Sequence, residues 1–165
     1  MFSFLNFYAK VGVKSPVLDA VLIFPIAIVP SIILCAIVDY VAKINGMNVK
    51  ELWPPSQSFS FLQLLNMVVA SPLIETFLLG ALIRFLAKFL SNNYAIAAIS
   101  ALSWGLLHAL LAPLWFFGTV WSFFVFSLMY LKWLTRSSRD AFKAAAAAHV
   151  LVNLCAILVA AAGLS

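Results

Sequence analysis

SPLIETFLLGALIR, residues 71–84, decides how this chain is read: one carboxylate, Glu75, stands in a run that carries no other charge from Leu52 to Ile83. An acid at the centre of a membrane helix costs roughly 2.5–3.5 kcal/mol on insertion scales, so such a group either carries function or is paired with a buried partner. Partner types are scarce. The chain has two histidines, His108 and His149, and each lies well inside another long apolar segment. Three polar groups on three apolar segments point to one shared site.

Outward from that stretch, composition sets the class. The 165 residues are 65% hydrophobic and 9% charged, far from the balance of a soluble domain. A bilayer core of about 30 Å takes about 20 helical residues per crossing, so this length holds five or six spans in one domain and leaves no room for a soluble catalytic module. The expected fold is an all-α, polytopic membrane helix bundle. The net charge of +5 reads as cytoplasmic loops rather than a footprint for nucleic acid, which is not expected as a partner. Cys35 and Cys155 sit in apolar runs without CxxC spacing and read as small buried hydrophobes.

Punctuation divides the chain into about five transmembrane helices. Residues 1–16 mix Phe2, Phe4, Leu5, Phe7 and Tyr8 with Lys10 and Lys14 and suit an interfacial segment. The apolar run after it is too long for a signal peptide and is not closed by an A-x-A pattern, so the segment reads as retained. The first span is expected from Pro16 to Val41, bent at Pro25 and Pro30, with Asp39 and Lys43 paired at its far end. A loop with Asn45-Gly46 and Pro54-Pro55 follows. The second span, Phe59 to Phe89, is too long for a perpendicular crossing; either it tilts or Ser71-Pro72 splits off an interfacial turn. The third runs from Tyr94 to Leu111 before Pro113. The fourth, Leu114 to Leu134, reads as scaffold. The fifth, Ala141 to Ala162, opens with alanines whose small size lets it press on the second. The whole is one domain, 1–165, with its core at 59–162.

Charge orients the bundle. With five spans, Lys10, Lys14, Arg84, Lys88, Lys132, Arg136, Arg139 and Lys143 share one side, against Lys43 and Lys50 on the other. That asymmetry predicts a cytoplasmic N-terminus, an outside C-terminus and a multi-pass place in the plasma (inner) membrane. Measured from the same edge, Glu75, His108 and His149 all lie roughly 13–22 Å deep, in one layer.

The ordered set Glu75-Thr76, then Trp104-x-x-x-His108, then His149-x-x-x-Asn153 resembles the CPBP family of intramembrane proteases. This family, also called Abi, includes CAAX prenyl endopeptidases and bacteriocin-processing or self-immunity proteins. Its pattern is E-E-x-x-x-R, F-x-x-x-H and H-x-x-x-N, and the resemblance covers about residues 60–160. The third motif matches in full, and the second keeps a large ring at Trp104. The first departs: Thr76 replaces the second Glu and Gly80 the Arg, so only Glu75 carries over. Arg84, one turn on, is a candidate stand-in for that Arg, reaching back over Gly80; alternatively it snorkels to the interface.

Peptide hydrolysis needs a base for water and donors for the developing oxyanion. Glu75 is the candidate base, assisted by His108. His149 and Asn153, one turn apart on the same face, are the candidate donors. Thr76, Arg84 and Trp104 are auxiliary candidates. No cofactor is expected, although Glu75, His108 and His149 also form a His₂Glu set that suits catalytic zinc. There is no H-E-x-x-H, serine elbow or paired intramembrane aspartate. The expected partners are membrane lipid, a peptide or membrane-protein substrate and a membrane protein complex. The alternative, suggested by the degenerate first motif, is an inactive protease-like scaffold serving as an assembly or immunity partner.

Overall fold

A computed structural model describes residues 14–53 and 60–161, and within them every regular element is helical. In chain order these are α1 (Pro16–Ile44), a short α2 (Val49–Leu52), α3 (Phe61–Leu86), α4 (Asn93–Ala109), α5 (Trp115–Leu134) and α6 (Ser138–Ala161). Helices α1, α3, α5 and α6 are long and apolar enough to cross a membrane. The remaining expected span is α4, whose 17 residues reach about 25 Å. The chain is a polytopic helical bundle and an integral membrane protein. The interfacial reading of residues 1–16 falls, up to residue 13, outside the described residues, as does Pro54-Pro55.

The prolines of α1 show how the bundle is sewn together. Pro30 has no N–H to give the carbonyl of Ile26 one turn earlier, and in a bilayer that acceptor needs another donor. Trp121 of α5 supplies it, Nε1 donating to the Ile26 oxygen at 2.7 Å. One residue on, the Ala27 carbonyl accepts from both Ser31 and Ser122 at 3.1 Å, and the two hydroxyls lie 2.9 Å apart. The Pro30 turn of α1 is therefore tied to α5 at one level. A second tie lies at the start of α1. The fully buried Asp19 accepts from Lys132 Nζ at 3.0 Å and from Trp133 Nε1 at 2.6 Å, both on α5. At the other end Lys43 and Asp39 form the expected i, i+4 pair at 2.6 Å, and Trp53 Nε1 donates to the same carboxylate at 3.1 Å.

Helix α5 is the most buried of the membrane-length helices. It packs on α4, α6 and α1, so the expected scaffold is the bundle's axis. The alanine run of α6 is buried, with Ala144, Ala145 and Ala148 at 0% exposure. Helix α6 uses this closeness more against α1 and α5 than against α3. Cys35 and Cys155 are free and half-buried.

Helix α3 resolves the length of the second span in a way composition did not anticipate. A Ser60 capping box with Gln63 starts it. It then neither breaks nor runs as uninterrupted α-helix: Asn66–Ala70 form a π turn leading directly into the α-helical Ser71–Leu86. A π turn holds one extra residue, which rotates everything after it by about 100°. Before the turn no residue is buried. After it Pro72, Thr76, Leu79, Gly80 and Ile83 line one buried stripe, and Glu75 lies beside it.

Candidate active site

Glu75 sits one turn after Pro72 on α3. Both histidines turn toward it from other helices. His108 Nε2, near the end of α4, is 3.9 Å from Glu75 Oε2, and His149 Nε2, in the middle of α6, is 3.7 Å from the same oxygen. That oxygen is buried and has no hydrogen-bond partner among the described residues. The Glu75 side chain keeps 23% of its surface exposed, so it stands at the edge of the bundle and not sealed within it.

The other ring nitrogens hold these orientations. His108 Nδ1 lies 2.9 Å from the Trp104 carbonyl one turn back. A carbonyl only accepts, so Nδ1 carries the proton and a neutral His108 presents a bare Nε2 toward Glu75. His149 Nδ1 lies 3.4 Å from the hydroxyl of the fully buried Thr76. Aromatic rings wall both histidines. Phe126 stacks on His149 with centroids 4.8 Å apart, while Phe123 packs on both His149 and His108. Trp104 stacks on Phe123 at 5.0 Å, and Trp115 meets His108 edge-on at 5.1 Å. Such walls exclude water and leave the polar groups to act at low local dielectric.

Asn153 lies one turn beyond His149, with Nδ2 donating to the Met67 carbonyl at 2.9 Å. The π turn explains this bond. The Ser71 N–H is engaged with the Asn66 carbonyl, five residues back. In the same register Met67 would be served by residue 72, which is a proline and has no N–H. Asn153 fills the vacancy from α6 and keeps its second amide N–H for other use.

The structure thus brings Glu75, Thr76, Trp104, His108 and His149 together, with Asn153 on the adjoining turn. It does not bring Arg84 in. That side chain is exposed, nine residues and about 13 Å along α3 from Glu75. The space over Gly80 belongs to Tyr130 of α5, whose hydroxyl would stand 2.6 Å from a Cβ added there. Sequence reading missed Phe123, Phe126 and Tyr130, which carry no signal that separates them from the other aromatics of α5. It also passed over Asp19, which the cost of a buried acid would have flagged as it flagged Glu75.

The His₂Glu set has the donor chemistry for zinc, but its spacing is wide. Ligand atoms around one tetrahedral zinc stand about 3.4 Å apart, against 3.7 and 3.9 Å here. No three His, Cys, Asp or Glu among the described residues are grouped to hold a metal ion. As placed, these residues do not close a ligand set.

Comparison with known proteins places the chain in a family. The family described as Type II CAAX prenyl endopeptidase Rce1-like matches residues 56–155, more than half of the chain, from just before α3 into the last turns of α6. No curated protein and no solved structure shows significant similarity to the chain.

Proposed function

The chain belongs to the type II CAAX prenyl endopeptidase Rce1-like family, and on that premise we propose that it is an intramembrane endopeptidase in which Glu75 activates the attacking water. One observation carries the reading: two histidines from different helices aim Nε2 at a single buried oxygen of one intramembrane carboxylate. Structural pairing alone would place one partner at hydrogen-bond distance. Here both stand back by 3.7–3.9 Å, which leaves Glu75 free to take a proton.

In this mechanism water sits at the accessible side of the Glu75 carboxylate and hydrogen-bonds to the bare Nε2 of His108. Glu75 takes its proton as the oxygen attacks the scissile carbonyl. The oxyanion is met by Nε2–H of His149 and by the N–H that Asn153 does not spend on Met67. The C–N bond then breaks, and Glu75 returns the proton to the leaving amine. The substrate is a peptide or membrane protein presented from the lipid, and the chain lies in the plasma membrane with its N-terminus in the cytoplasm.

The test is Glu75→Gln, which keeps shape and hydrogen bonding but removes the proton acceptor. Cleavage of a prenylated CAAX-ended peptide by the purified chain falls at least about 10²-fold while the protein still accumulates and folds. Turnover that survives a strong chelator supports glutamate catalysis, and loss restored by added zinc supports the metal route. A Glu75→Gln chain with full biological function would leave an inactive scaffold.

A further inference from the structure

His108 and His149 face the same Glu75 oxygen, yet their back nitrogens meet different chemistry, and this difference sorts their roles. His108 has no choice: the Trp104 carbonyl at 2.9 Å requires a proton on Nδ1. His149 does have a choice, because the Thr76 hydroxyl at 3.4 Å can donate or accept. If His149 Nδ1 donated to Thr76, both histidines would turn bare lone pairs toward a buried carboxylate oxygen that has no donor among the described residues. Two lone pairs facing that oxygen at 3.7–3.9 Å repel it at low dielectric, whereas an N–H dipole in the same place attracts it even short of a hydrogen bond. If Thr76 donates instead, His149 carries its proton on Nε2 and points that N–H at Glu75 Oε2, 3.7 Å away.

We propose that Thr76 is a positioning residue that donates its hydroxyl proton to His149 Nδ1, holding His149 in the Nε2–H tautomer opposite to that of His108. The pair is thereby divided into one acceptor and one donor facing Glu75. Thr76 is placed for this. It is fully buried on the inward stripe of α3, and its hydroxyl is the one hydrogen-bond partner of His149 Nδ1 among the described residues. Phe126 and Phe123 hold the ring plane but offer its nitrogens nothing, so the tautomer is set across the α3–α6 contact. The inference rests on the peptidase reading for its catalytic meaning, but the tautomer can be read without turnover.

With two histidines in the chain, ring ¹⁵N resonances of the full chain in lipid nanodiscs are assignable by difference against His108→Gln. The expected wild-type result is a protonated Nε2 and a bare, hydrogen-bonded Nδ1 at His149. In Thr76→Val, which keeps the branched shape, Nδ1 moves to the position of a bare nitrogen without a hydrogen bond; Thr76→Ser restores it. A protonated Nδ1 in the wild type, or an Nδ1 resonance unchanged in Thr76→Val, overturns the proposal. Because the wild-type spectrum is itself decisive, a poorly folding variant does not rescue the idea. On a farnesylated CAAX-ended peptide, Thr76→Val lowers kcat by about tenfold at unchanged KM, and Thr76→Ser recovers it. An unchanged kcat in Thr76→Val would remove Thr76 from the mechanism. A wild-type chain that does not cleave this peptide counts against the peptidase reading, while the spectrum still decides Thr76.

Discussion

Asn153→Ala tests whether the π turn of α3 is held from α6. The substitution removes the 2.9 Å bond to the Met67 carbonyl, which its own helix does not serve because residue 72 is a proline. Interhelical hydrogen bonds in membrane proteins average about 0.6 kcal/mol and reach about 1.7, and a carbonyl left without a donor where water cannot serve it adds to that cost. The expected loss is therefore about 1–2 kcal/mol. Pro72→Ala should cancel most of it. Alanine restores an N–H at 72, which serves Met67 in the π register; if α3 instead relaxes to α, the Ser71 N–H serves it. In the Pro72→Ala background, Asn153→Ala should cost no more than about 0.5 kcal/mol, a coupling near 1 kcal/mol. The assay is reversible unfolding in mixed micelles of increasing SDS, followed by helical circular dichroism, for all four members of the cycle. Equal costs of Asn153→Ala in both backgrounds would refute the argument. Peptide cleavage separates the two duties of the side chain: if its free N–H also meets the oxyanion, the double variant regains stability but not turnover.

Gly80→Arg, which would rebuild the family's first motif, should destabilise by about 1–3 kcal/mol, because Tyr130 already fills that face of α3; thermal unfolding in detergent reads this, and a neutral result would mean that Tyr130 swings aside. Arg84→Ala should leave turnover within about twofold, since an exposed surface substitution away from the site costs little, and a larger fall would bring Arg84 back into the mechanism. A reporter that is active only in the cytoplasm, joined after Ser165, should stay silent if five spans leave that end outside, whereas a signal would require an even number of crossings.

The class of this protein was legible in its residues because a bilayer imposes terms that composition must meet. Runs of about 20 apolar residues, breakers at Asn45-Gly46 and Asn92-Asn93, and one acid and two histidines deep inside three apolar runs are one-dimensional signals. They mark the helices, and they single out Glu75, His108 and His149 before any packing is known. Equal depth along three helices is also a property of spacing alone. The ordered motifs then identified the family that the comparison bears out.

What only the tertiary structure decided is which faces meet, because rotation about a helix axis is set by neighbours and not by hydropathy. Nothing in the residues around Pro72 announces that it follows a π turn and not a break, yet that turn rotates Glu75 toward the histidines. The duty of Asn153 toward Met67 arises from that geometry and from α6 being near enough to serve it. Gly80 invited Arg84 on paper, but Tyr130, distant in sequence, took the space. The pairing of Thr76 with His149 Nδ1 links residues 73 positions apart. No local pattern encodes it, because a buried hydroxyl chooses its partner only after the helices have docked.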